Sequence, residues 1–147
     1  MHRWWPAVAA LMLVMSPVGC GTSGRIGPTV VDPDAPTEFT QTESGLKYRI
    51  LRRGDGSKPT AASKVTVDYR GWLDNGRTFD QSYNRPKPVT FSLANVVPGW
   101  TEGMQYVREG GMIEMVFPPE LGYGDKTTGG IPANSTLHFR VELHKVQ

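Results

Sequence analysis

Over most of the chain after residue 44, apolar and polar positions alternate with a period of two. Leu46, Tyr48 and Ile50 are separated by Lys47 and Arg49, and Val65, Val67 and Tyr69 by Thr66, Asp68 and Arg70. Successive side chains of a strand point to opposite faces, so each run predicts a strand with one buried face and one wet face. The clearest run is the last. Leu137, Phe139, Val141 and Leu143 take one side, and His138, Arg140, Glu142 and His144 the other, which assigns both histidines to the solvent face. A further strand is expected over about Met112 to Phe117 and ends at Pro118-Pro119, because proline cannot donate to a ladder. Gly54-Asp55-Gly56 closes the first strand, and Asp74-Asn75-Gly76 predicts a tight hairpin in which Asn and Gly accept positive φ.

One stretch changes period. Trp100, Met104 and Val107 fall at i, i+4 and i+7, Pro98 suits a first helical turn, Glu102 favours that turn, and Gly110-Gly111 can end it. This predicts a helix of about ten residues. Four to six antiparallel strands with one short helix across the buried face make an α+β domain.

Ahead of this unit the pattern disappears. Residues 1–19 read as a secretory signal: a basic start at Met1-His2-Arg3, an apolar run from Trp4 to Met15, then Ser16-Pro17-Val18-Gly19. The apolar run falls short of the roughly 20 residues that span a bilayer. Cys20, the single cysteine, follows these small residues and precedes Gly21-Thr22-Ser23-Gly24, which resembles a bacterial lipobox. The expectation is a lipidated Cys20 that holds the protein on a membrane surface of the cell envelope. The alternative is an ordinary signal peptide cut nearby, leaving a free thiol. Residues 20–44, with Pro28, Pro33 and Pro36 and almost no large apolar residue, read as a flexible tether. The folded domain is then 45–147.

Composition excludes several classes. Sixteen Lys+Arg against fourteen Asp+Glu leave only +2, with the signs interspersed, so nucleic acid is not an expected partner. One cysteine rules out an intramolecular disulfide and C-x-x-C motifs. There is no G-x-S-x-G, no P-loop, no G-x-G-x-x-G and no H-E-x-x-H. The acids are scattered singly, with no carboxylate pair of the hydrolytic kind.

What stands out is a set of aromatics at strand ends and at the helix start: Tyr69, Phe79, Phe91, Trp100, Tyr123 and Phe139. Their neighbours recur in order: Val67-Asp68-Tyr69-Arg70-Gly71, Gly76-Arg77-Thr78-Phe79-Asp80-Gln81-Ser82, Val96-Val97-Pro98-Gly99-Trp100, Phe117-Pro118-Pro119-Glu120-Leu121-Gly122-Tyr123-Gly124 and Ile131-Pro132-Ala133-Asn134-Ser135-Thr136-Leu137-His138-Phe139. Together these blocks resemble the FKBP-type peptidyl-prolyl cis-trans isomerases, and the resemblance covers about 44–146.

The resemblance implies a five- to six-stranded antiparallel sheet wrapped around one short helix, with an apolar pocket between them. Trp100 would form the floor, Tyr69, Phe79, Phe91, Val97 and Phe139 the walls, and Val96, Ile131 and Tyr123 the rim. Asp80 would be the pocket's one acid, held by Tyr69 and Arg85. Tyr69, Phe79, Asp80, Trp100, Tyr123 and Phe139 would carry catalysis, and Arg85, Phe91, Val96, Val97 and Ile131 would contact substrate. The chain departs from the family at Val89, where many relatives carry an aromatic wall residue, and over 125–130. Implied partners are proline-containing polypeptides and macrolide inhibitors, with a monomer expected. The implied activity needs neither nucleophile, metal nor other cofactor, since turning an X-Pro bond changes no covalent bond. The rival expectation is a surface-tethered module that binds proline segments without useful turnover.

Overall fold

A computed structural model of the chain describes residues 30–147. The expected signal segment 1–19 and lipidation site Cys20 lie outside the described residues. Among those described, no helix is long and apolar enough to cross a membrane.

The strands are β1 (Thr40–Gln41), β2 (Lys47–Arg52), β3 (Lys64–Leu73), β4 (Thr78–Gln81), β5 (Val89–Ser92), β6 (Met112–Phe117) and β7 (Leu137–Val146); the helix α1 is Pro98–Gly103. All pairings are antiparallel, in the order β1-β2-β6-β7-β3-β4, with β5 also on β3. The α+β architecture is the expected one, but the sheet has seven strands rather than five or six. The difference comes from short elements. Ten-residue β3 is shared along one edge by β5, opposite Lys64 to Val67, and by β4, opposite Arg70 to Trp72, while β1 is only two residues.

β1 belongs to a stretch expected as tether. The Asp32 N–H donates to the Leu51 carbonyl (2.8 Å), and the Arg53 N–H to Asp32 Oδ2 (2.9 Å). The Arg53 guanidinium pairs with Asp34 at 2.7 Å, which holds the Asp34 carboxyl below its usual range. Arg49 donates to the Thr37 carbonyl and lies over the Phe39 ring. Residues 32–41 are therefore strapped along β2. Their partners are polar groups and a cation–π contact instead of buried apolar surface, so a hydrophobicity pattern cannot show them.

The core lies between the concave sheet face and α1. Val65, Val67 and Tyr69 of β3, Ile113, Met115 and Phe117 of β6, and Leu137, Phe139, Val141 and Leu143 of β7 surround Trp100, Met104 and Val107. Close approach of the helix depends on glycine: a Cβ on Gly99 would sit 2.6 Å from the Phe117 ring, and one on Gly103 would collide with Met115 Sδ. The helix is shorter than the expected ten residues. After Gly103 it tightens to a 3₁₀ turn over Met104–Tyr106, and Val107 turns extended, which buries its side chain in the core. Glu102 does not serve the first turn. Its carboxylate instead accepts the hydroxyls of Thr42 (3.0 Å) and Ser44 (2.5 Å), tying α1 to the β1–β2 turn.

Two local expectations are also corrected. In the 74–76 turn Gly76 alone takes positive φ, while Asn75 uses its side chain to accept the Arg77 N–H (2.9 Å). The outer sheet face is not simply wet. Asp68, Glu114 and Glu142 are buried there, because Arg49 and Arg140 flank Glu114, Arg52 and Tyr83 hold Glu142, and Ser82 and His144 hold Asp68. Both histidines point outward as expected, but each is paired, His138 with Asp74 and His144 with Asp68.

Candidate active site

Where β3, β4, β5 and β7 face the start of α1, a pocket of about 330 Å³ opens to solvent. Its floor follows from the helix start. Pro98 occupies the first helical position, the Val97 carbonyl accepts the N–H groups of Trp100 (3.0 Å) and Thr101 (3.2 Å), and Thr101 Oγ1 donates to the Leu93 carbonyl (2.6 Å). These bonds fix the first turn against β5, so that Trp100, 4% exposed, points into the sheet.

The walls are edge-on aromatic rings. Trp100 meets Tyr69 at 5.4 Å between centroids and 89°, Phe91 at 5.6 Å and 76°, and Phe139 at 5.4 Å and 88°. Phe79 stands edge-on to Phe139 at 5.5 Å, and Phe139 is backed by the stacked Phe117 ring. Such edge-to-face packing is the favoured aromatic geometry. It makes a box whose inner surfaces are ring edges and faces.

Tyr69, Phe79, Asp80, Phe91, Val96, Val97, Trp100, Tyr123 and Phe139 all line the pocket, as expected, together with Asn95. Two expected residues do not. Ile131 is buried in the core, since the Thr128–Ile131 bridge folds its loop back on itself. Arg85 stands behind the lining, its guanidinium 3.2 Å from Asp80 Oδ1. Val89 packs on the core and is not among the residues that line the pocket.

The polar edge is one short array. The Tyr69 hydroxyl donates to Asp80 Oδ2, and Arg85 takes the other carboxylate oxygen. Burial first, and then the bond to Asp80, push the Tyr69 phenol well above its ordinary range, so it stays a donor at any physiological pH. Asp80 is 45% exposed and Arg85 44%, so this array sits at the mouth. Asp80 is the only carboxylate among the lining residues.

Sequence reasoning missed three contributors. Gly71 lies under the rings: a Cβ there would be 2.6 Å from Phe79 Cζ and 2.7 Å from Phe139 Cε1. Its place in the Tyr69-Arg70-Gly71 block was the available signal. Ser82 is fully buried and bonds to the Tyr69 backbone, and Tyr83 is buried with its hydroxyl on Glu142 Oε1 at 2.6 Å. Both follow the end of β4 and bond to Asp68 and Glu142 of the outer sheet face, where alternation predicts solvent.

Comparison with known proteins gives the same assignment. The profile described as FKBP-type peptidyl-prolyl cis-trans isomerase matches residues 55–144. The chain is 46% identical over 106 residues to the FKBP-type peptidyl-prolyl cis-trans isomerase FkpA of Escherichia coli K12, an alignment covering 72% of this chain and 39% of that protein. It is 50% identical over 103 residues to a probable FKBP-type peptidyl-prolyl cis-trans isomerase of Haemophilus influenzae, covering 69% and 43%. The crystal structure of a peptidyl-prolyl cis-trans isomerase from Pseudomonas syringae superposes with a TM-score of 0.70 at 33% identity, over 76% of this chain and 83% of that one. The chain thus spans about two-fifths of the length of the curated relatives it matches. Since the matched residues run from before β3 almost to the end of β7 and leave no pocket residue outside them, the chain belongs to the FKBP-type peptidyl-prolyl cis-trans isomerase family.

Proposed function

We propose that the pocket catalyses cis-trans isomerisation of X-Pro bonds in polypeptides, without covalent chemistry, and that exported proteins in the cell envelope are its substrates. The observation that carries this reading is the aromatic box on Trp100 with the Tyr69–Asp80–Arg85 array at one edge. The barrier to turning a prolyl amide, about 18–20 kcal/mol, comes from resonance that the twisted transition state loses. A site lowers it by favouring the twisted amide over either planar form. A proline ring seated on Trp100 among Phe79, Phe91 and Phe139 removes the water that stabilises the polar planar amide. The carbonyl, rotated out of conjugation, meets fixed dipoles at the Tyr69 edge that need no reorganisation.

In this reading Tyr69, Phe79, Asp80, Trp100, Tyr123 and Phe139 carry the reaction, Phe91, Val96 and Val97 seat the chain, and Arg85 acts through Asp80. Tyr123, 40% exposed at the rim, is free to lie along the flanking residues of a bound segment. Macrolide inhibitors would compete for the same box, and the protein would act as a monomer held on a membrane through Cys20.

The test is the cis-to-trans relaxation of a proline tetrapeptide with catalytic amounts of the full chain. Acceleration that falls in Asp80→Ala and Phe79→Ala while both stay folded supports the proposal. A folded wild type that binds the peptide without accelerating it would establish the rival, a binding module without turnover.

A further inference from the structure

The proposed chemistry requires Tyr69 and Asp80 to meet at one edge of the pocket, and the role of Ser82 rests on that reading. The ladder between their strands is weak. β3 and β4 share three paired positions, Arg70 with Gln81, Gly71 with Asp80 and Trp72 with Thr78, and a bulge interrupts them. β4 is four half-buried residues long, and the chain leaves it directly after Gln81. The far end of the pair is closed by the hairpin, where the Leu73 N–H donates to the Arg77 carbonyl (3.0 Å) and Arg70 Nε to Thr78 Oγ1 (2.9 Å), but these bonds lie away from the Asp80 end.

Ser82, two residues beyond Asp80, supplies the missing constraint. It is 0% exposed. Its N–H donates to the Tyr69 carbonyl (2.9 Å), and its Oγ accepts the Tyr69 N–H (2.9 Å), so one residue holds both backbone polar groups of Tyr69. A serine hydroxyl has a single proton, and Oγ presents a lone pair to the Tyr69 N–H only if that proton points elsewhere. It goes to Asp68 Oδ1 at 2.6 Å. Asp68 is 4% exposed, and its other oxygen lies 2.8 Å from His144 Nε2 on β7. The result is a closed circuit, from the Tyr69 backbone to Ser82, through Gln81 to Asp80, and back through the Tyr69 hydroxyl.

We propose that Ser82 is a positioning residue for isomerisation: its hydroxyl, oriented by Asp68, sets the β3–β4 register that keeps the Tyr69 phenol on Asp80. Ser82 touches no substrate. Its loss acts on the rate rather than on seating of the planar peptide, because the aromatic box lies on the opposite sheet face and keeps its own contacts.

The experiment compares the full-length wild type with Ser82→Ala and Ser82→Thr. It measures kcat and KM for a proline tetrapeptide by exchange NMR, the Kd of a proline peptide by calorimetry, and the Tyr69 amide resonance. For Ser82→Ala the expected results are an upfield shift of the Tyr69 amide proton, a Kd within about twofold, and a kcat lower by about threefold, below the loss expected when the Tyr69 hydroxyl itself is removed. Ser82→Thr, which keeps the hydroxyl, recovers most of the rate. A folded Ser82→Ala with wild-type kcat overturns the proposal, and so does a Kd that weakens by the same factor as the rate. Should Ser82→Ala not fold, Asp68→Ala decides: it removes the acceptor of the Ser82 hydroxyl proton, which is then free to turn toward Tyr69, so a comparable loss of kcat supports the role and an unchanged kcat overturns it. A wild type that binds peptide without accelerating exchange would refute the isomerase reading itself, a distinct outcome.

Discussion

Adding one methyl group at Gly71 tests whether the aromatic box, rather than a loose apolar surface, is the working part. Gly71 does not take positive φ, so its backbone accepts an alanine and the effect on the folded state is steric. The new Cβ would lie 2.6 Å from Phe79 Cζ, 2.9 Å from Phe79 Cε2 and 2.7 Å from Phe139 Cε1. Carbon pairs settle at about 3.5–4.0 Å, so the rings must retreat by roughly 1 Å. Phe139 has nowhere to go, since Phe117 stacks on it at 5.4 Å and Trp100 abuts it at 5.4 Å. Half-buried Phe79 therefore moves, and with it one wall of the pocket. Overpacking costs about 1–3 kcal/mol, and the lower entropy of the unfolded alanine chain returns about 0.4–1 kcal/mol. The expected net loss of about 1–2 kcal/mol lowers Tm by roughly 5–10 °C for a domain of this size. Activity falls much further, by about 10- to 100-fold in kcat/KM, because a displacement of about 1 Å in a positioned site has that effect. Calorimetric unfolding and the tetrapeptide isomerisation assay measure the two effects. Full activity in a folded Gly71→Ala would refute the assignment of Phe79 and Phe139 as pocket walls.

Gly103→Ala places a Cβ against Met115 Sδ and lifts α1 from β6, so we expect about 1–3 kcal/mol lower stability by chemical denaturation, together with a weaker Kd for proline peptides. Tyr69→Phe keeps the ring and removes the donor to Asp80; kcat/KM should fall about three- to tenfold with little change in Tm, as the half-exposed carboxylate is rehydrated. Burial, followed by the bond to Glu142, raises the Tyr83 phenol above its ordinary value of 10.0, so above pH 10 the unfolded chain loses this proton while the folded chain keeps it. Stability from this group is complete below pH 10 and is lost as pH rises beyond it; urea midpoints should therefore drop less steeply between pH 9 and 11 in Tyr83→Phe than in the wild type.

Much of the fold was legible because the sheet has one apolar face. The alternation in Val65-Val67-Tyr69 and Leu137-Phe139-Val141-Leu143 matches side chains that do point to the core. The helix position was legible from Pro98 and the spacing of Trp100, Met104 and Val107, but its length was not, because Gly103 and the extended Val107 answer to packing on Met115 and the core. The strap over 32–41 was missed for a physical reason: its bonds join Asp32, Asp34 and Thr37 to partners on β2 and just beyond it, and local sequence carries no sign of such pairing. The pocket lining came from ordered aromatic blocks. Ser82 and Tyr83 escaped because they are buried on the polar face, where each satisfies a hydrogen bond instead of filling core volume. Ile131 shows the converse, an apolar residue in a matching block that the loop turns into the core.

The central claim is that this box binds the twisted amide better than either planar isomer. Exchange NMR on a proline peptide, with the full chain at about one-hundredth of the peptide concentration, tests it directly by following cis and trans resonances together. Exchange cross-peaks are expected only with protein, with an unchanged cis:trans ratio and weaker cross-peaks in Gly71→Ala and Tyr69→Phe. Line broadening from binding with no exchange cross-peaks would contradict it.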